Sequence, residues 1–190
     1  MQRTRTNWKP VGLGLAVLMM VLVAVAVVLV PAVASGGSDE ARQDELAQVR
    51  QVTAKFHRVE AAIEAGYELG YVNGAGNRII TGCIAHPTAG AMGYHYFNKE
   101  LVNDLVVDVQ KPEALVYAPG ADGELKLVAV EYVVPGPNSN PPGVSEPPTV
   151  LGMQMHILVP AVGFYILHAW VWSHNPADML ADWNPEVSCP

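Results

Sequence analysis

Hydrophobic positions fall into three regimes along the chain. From Val11 to Val30 every residue is apolar or glycine, with no polar interruption. From Leu46 onward the apolar residues Leu46, Val49, Val52, Phe56, Val59 and Ile63 recur at spacings of three and four. That spacing predicts one amphipathic helix running from a cap at Ser38 to a stop at Gly66. Beyond Gly66, short runs of branched and aromatic residues alternate with turn signals. The runs are 94–97, 114–117, 125–134, 150–158 and 164–172. They predict strands, and the pair flanking Asp122-Gly123 predicts a β-hairpin with an extended loop. Residues 135–148 hold six prolines among Gly, Asn and Ser, which predicts a long loop. The expected fold class is therefore α+β: an N-terminal amphipathic helix packed on a mainly antiparallel β-sheet, behind an N-terminal export or membrane segment.

The apolar stretch 11–30 has its own logic. Arg3, Arg5 and Lys9 precede it, Pro31 breaks it, and Ala32-Val33-Ala34 supplies small residues before Ser35-Gly36-Gly37. A basic start, an apolar body and an A-x-A site are the parts of a signal peptide. Twenty apolar residues also suffice to cross a bilayer as an anchor. Cleavage after Ala34 and retention as a membrane anchor both stay open. Either places residues 35–190 outside the cytoplasm as a single domain, since the basic end stays inside. Thr4 separates Arg3 from Arg5, which argues against a twin-arginine signal. Cys83 and Cys189 are the two cysteines, and in an oxidising compartment the default is a disulfide between them.

Charge narrows the partners. All 18 Asp and Glu lie beyond residue 34, against eight Lys and Arg, so the domain carries a net charge of −10. An acidic surface of this kind repels phosphate backbones and excludes nucleic acid as a natural partner. A small-molecule ligand, and the membrane itself if the N-terminal segment is retained, are the partners that fit.

Strand alternation sorts the six histidines. His95 lies opposite the two tyrosines that flank it. His156 shares a face with Gln154, while Met153 and Met155 point the other way. His168 shares a face with Trp170 and Trp172. Glu131 interrupts an apolar strand, where an unpaired carboxylate is costly to bury. If these faces line one cavity, His95, Glu131, His156 and His168 form a three-His, one-carboxylate site for a divalent transition metal: Zn, Fe, Cu or Mn. Gln154 then orients a ligand or a water from the next layer. The competing reading has the histidines donating hydrogen bonds within a mixed core. A copper cluster through Met92, Met153 and Met155 is disfavoured because a strand splits Met153 and Met155 from His156. His57, His86 and His174 read as surface residues. Trp170, Trp172 and Trp183 either pave an apolar pocket or fill the core.

The sequence also resembles a family of exported bacterial cell-envelope proteins of unassigned function. The resemblance is carried by Gly93-Tyr94-His95-Tyr96, by Val130-Glu131-Tyr132, and by the array from Phe164-Tyr165 through His168, Trp170 and Trp172. The array continues through Asn175-Pro176 to Trp183-Asn184-Pro185 and Ser188-Cys189. It implies a bacterial envelope setting and no particular reaction. The positions that match are His95, Glu131, Gln154, His156, Tyr165 and His168, with Gln154 and Tyr165 as ligand- or cofactor-contacting groups. No Gly-x-Ser-x-Gly is present, and catalytic residues stay unassigned.

Two functions follow from this reading. One is an exported envelope protein with a small polar, His-lined site that binds a small molecule at a metal. The other is a non-catalytic cell-surface interaction module whose histidines are structural.

Overall fold

The structure, a computed structural model, describes residue 2 and residues 36–190. The expected export segment lies outside the described residues. Among these residues no helix is long and apolar enough to cross a membrane.

Helix α1 spans Gly36–Thr53 and α2 spans Val59–Glu64, so the single helix expected from the apolar stripe is broken. The cause is local. A 3-10 turn occupies Ala54–Phe56, and the Phe56 carbonyl accepts a hydrogen bond from the Tyr117 hydroxyl at 2.6 Å. An uninterrupted α-helix would use that carbonyl for the amide four residues on. Phe56 itself is buried and meets Tyr67 edge-on at 5.4 Å. Beyond the break the phase slips by one residue. Ala62 is fully buried, and Ile63, the last member of the stripe, is half exposed.

A seven-stranded antiparallel sheet receives these helices. Its strands are β1 (Tyr67–Leu69), β4 (Ile84–His86), β5 (Gly90–Asn98), β6 (Ala114–Pro119), β7 (Leu125–Pro135), β10 (His156–Ile157) and β11 (Phe164–Ala169). Their order is β1-β5-β6-β7-β11-β10, with β4 on β5 beside its first half and β1 beside its second. The β6–β7 pair is the expected hairpin, closed by Gly120 and Glu124 around Asp122-Gly123. Two small hairpins sit apart from the sheet: β2 (Tyr71–Val72) with β3 (Arg78–Ile79), and β8 (Thr149–Val150) with β9 (Met153–Gln154). A third short helix, α3 (Lys99–Asp104), is capped by Asn98, whose side chain accepts from the Glu100 and Leu101 amides.

The two sheet faces carry different cores. Leu46, Val49 and Phe56 from the helical segment pack with Tyr67, Leu115, Tyr117, Val130, Tyr132 and Leu167 on one face. The opposite face is covered by loops and the C-terminal tail. There Phe97, Ala114, Val133, Phe164 and Ile166 form a second cluster. Ala91, Val116, Ala129 and Trp170 form a third.

The tail is tied down twice. Ala91 and Asn184 exchange backbone hydrogen bonds at 3.1 Å, and Cys83 is bonded to Cys189. The disulfide expected from the cysteine count is thus present, with Cα atoms 5.6 Å apart.

Two strand expectations are corrected. Residues 150–158 do not form one strand. Leu151 and Gly152 both adopt positive φ and make the two-residue turn between β8 and β9, and the chain joins the sheet only at His156. Residues 164–172 stop being a strand at Ala169, where the Val171 amide turns back onto the Ala169 carbonyl at 2.9 Å. Trp172 therefore leaves the face of His168. Its indole Nε1–H donates to Thr53 Oγ1 at the end of α1.

Candidate functional site

Strand register places the site. Glu131 is in β7, the strand between β6 and β11, and its cross-strand partners are His168 on β11 and Ala114 on β6. Directly paired residues share a face with Cβ atoms only about 5 Å apart. His168 Nδ1 accordingly lies 3.3 Å from Glu131 Oε1. His95 belongs to β5, two strands from Glu131, a backbone separation of roughly 10 Å. It nevertheless brings Nε2 to 3.6 Å from Glu131 Oε2. The two are also offset by two residues: His95 is level with Val116 and Ala129, and Glu131 with Ala114 and Phe97, so their side chains meet on a diagonal over β6.

All three groups are buried: His168 is fully enclosed, and His95 and Glu131 are 2% and 4% exposed. Aromatic rings hold the imidazoles in place. Phe97 stacks on His95 at 6.0 Å and Trp170 on His168 at 5.5 Å, while the two imidazoles meet edge-on at 5.4 Å. One ligand atom from each of His95, Glu131 and His168 can be chosen so that all lie within 4.8 Å of one another.

The polar pairing within this cluster is incomplete. His95 Nδ1 and both ring nitrogens of His168 are buried without a hydrogen-bond partner, and the 3.3 Å approach to Glu131 is not aligned as a hydrogen bond. Buried polar atoms in folded proteins are overwhelmingly satisfied, and each orphan costs roughly 1–3 kcal/mol. Burial pushes the His95 imidazolium down to a pKa of about 4, with Glu131 opposing the shift and His168 adding to it. For Glu131 burial favours the neutral acid, but the imidazoles, His95 first, more than offset it and hold the carboxyl below its usual value. At neutral pH this puts an anionic carboxylate beside an uncharged His95.

The separations of 3.3 and 3.6 Å run to different oxygens of Glu131, so a shared ion would sit against both oxygens of the carboxylate. A tetrahedral site with metal–ligand bonds of about 2.0–2.1 Å has edges of about 3.4 Å between ligand atoms. Two imidazoles with one carboxylate form a donor set used by zinc and by non-haem iron.

Above the cluster lies a cavity of about 300 Å³. Among the described residues its only polar lining groups are His95 and Glu131, and the rest of the wall is apolar, including Ile80, Ile84, Phe97, Val162, Ile166 and Trp183.

Not every expected site residue joins the group. His156 is on the same face as His168, but it pairs with Ile166 on the two-residue edge strand β10. Its side chain is 46% exposed, and its Nε2 lies 3.1 Å from Asp182 Oδ2. Gln154 is exposed on the β8–β9 hairpin, where it pairs with Thr149. Tyr165 is on the opposite face, within the helix-side core, and its hydroxyl donates to the Ser145 carbonyl at 3.3 Å. Odd spacing from His168 within one strand dictates that placement. Of the three tryptophans considered for a pocket, Trp183 lines the cavity.

Sequence reasoning missed two features. Asp182, the partner of His156, comes from an irregular tail with no periodic signal. Glu113, 1% exposed, accepts the Val133 amide at 2.9 Å. It follows Pro112 and precedes the apolar Ala114-Leu115, the same sign of a buried acid that singled out Glu131.

No protein-family model, no curated protein and no solved structure matches this chain.

Proposed function

We propose that this is an exported envelope protein in which His95, Glu131 and His168 hold one divalent transition metal and present it to a small molecule in the adjoining cavity. The observation that carries the reading is the convergence of His95 Nε2 and His168 Nδ1 on the two oxygens of one buried carboxylate, at 3.6 and 3.3 Å. A metal takes the lone pair of a neutral imidazole and the charge of the carboxylate together. Three protein ligands leave coordination positions free, so the ion would act as a Lewis acid or as an activator of water. Zinc and iron fit the donor set best, and copper or manganese is the less favoured occupant.

Export is supported by the disulfide, which persists in oxidising compartments, and by the basic-apolar-small pattern of residues 3–34.

Metal analysis of tag-free, full-length protein tests the reading. One zinc or iron per chain is expected, and the paired substitution His95→Ala with His168→Ala should abolish it. Metal-free protein that keeps its fold would favour the interaction module with structural histidines.

A further inference from the structure

The cavity's shape and chemistry define a ligand class. We infer that it takes a compact, hydrophobic, uncharged molecule with a single polar head, seated with that head against His95 and Glu131. This inference rests on the proposed metal site, which the head would meet.

The wall is the first argument. Of the twelve lining residues, ten are apolar and none is Lys or Arg. A phosphate, sulfonate or free carboxylate would be desolvated against a wall with no Lys or Arg among the described lining residues, and the charge of the ion at its floor would already be partly neutralised by Glu131. A polyol would lose water hydrogen bonds along most of its length without replacement. A molecule that is apolar over its body loses nothing on entry and gains by removing the Ile, Phe and Trp surfaces from water.

Size is the second. An engineered apolar cavity of about 150 Å³ takes benzene. The volume here is about 300 Å³, which matches two fused rings or a branched hydrocarbon of similar bulk.

Access is the third. Val159 lines the cavity and is also half exposed, so the mouth lies at the turn between β10 and β11. That turn is held by the Val162 and Gly163 amides donating to the Val159 carbonyl at 2.9 and 3.1 Å. The polar pair and the mouth together give the ligand one orientation, head inward and body outward.

Calorimetric titration of the full-length chain with 2-naphthol, naphthalene and naphthalene-2-sulfonate tests this, with metal content measured in the same samples. The expected order is 2-naphthol tightest, naphthalene at least tenfold weaker, and the sulfonate at least tenfold weaker again. Val162→Trp, which fills the cavity, should weaken 2-naphthol at least tenfold, and it also controls for probe taken up by the apolar stretch 11–30. Val159→Trp at the half-exposed mouth should do the same without disturbing the core. His95→Ala should reduce 2-naphthol to the level of naphthalene.

Equal binding of the sulfonate, or tight 2-naphthol binding that survives both tryptophan variants, would overturn the inference. Metal-loaded protein that binds no probe would overturn it while leaving the metal site standing. Probe binding in the expected order to metal-free protein would keep the ligand class and remove the metal.

Discussion

Glu131 and His168 face each other across the β7–β11 ladder, with Oε1 and Nδ1 3.3 Å apart. Backbone register makes the two direct cross-strand partners on one face, so the pairing does not depend on a flexible loop. His95 adds the third group from two strands away, and the site is thereby carried by β5, β7 and β11 of one sheet.

Glu131→Gln keeps the shape of the side chain and removes its charge. Metal affinity should fall at least 100-fold, since outer-layer partners of metal ligands alone cost 10- to 100-fold. Competition against a chelator measures it. Unchanged affinity would exclude Glu131 as a ligand.

Ala114→Leu tests the space directly beside Glu131, its cross-strand partner on β7. The added methyl groups would occupy the space above β6 and destabilise the domain by about 1–3 kcal/mol through overpacking. Metal content, normalised to folded protein by circular dichroism, should drop sharply. Full metal content would mean that the space above Ala114 is not needed.

Glu113 gives the stability a pH dependence of definite sign. Burial raises its pKa to about 8, with Asp104 and Asp108 adding to the effect and the Val133 amide opposing it. An unfolded Glu releases its proton near its ordinary value of about 4.3. Between those values the folded protein keeps a proton that the unfolded chain gives up. The contribution is fully present below the unfolded pKa and is lost as pH rises toward 8, by about 1.4 kcal/mol per pH unit. Glu113→Gln should therefore flatten the fall in stability from pH 5 to pH 8, as read by urea denaturation. Parallel curves for the two proteins would refute this.

Breaking the bond between Cys83 and Cys189 by Cys83→Ser and Cys189→Ser opens a link spanning 106 residues. The chain-entropy model gives a loss of about 4.7 kcal/mol for a loop of that size. For a domain of this length that lowers Tm by roughly 10–20 °C, measurable by calorimetry.

Much of this was legible in the sequence, for identifiable reasons. Parity gave His95 and His168 each a definite face within its strand, because β5 and β11 are long enough to keep their alternation, but that these faces meet at Glu131 was only a condition that strand register fulfils. It misplaced Trp172 because alternation holds only while the strand lasts, and the chain turns after Ala169. It joined Gln154 to His156 because nothing in Leu151-Gly152-Met153 announces a turn strongly enough to override the β-forming residues around it. The apolar stripe located α1, but the Tyr117–Phe56 hydrogen bond that ends the regular helix links residues 61 apart. The cavity wall was not legible, because Ile80, Ile84 and Val162 come from separate, non-periodic segments that only the fold assembles.

X-ray absorption at the metal edge of the full-length protein, purified without an affinity tag, examines the proposed centre most directly. The account predicts a first shell of nitrogen and oxygen only, with outer-shell scattering from two imidazoles that is lost in the His95→Ala, His168→Ala pair. A sulfur ligand, such as Met92 or Met155 would supply, or a spectrum unaltered by that pair, would contradict it.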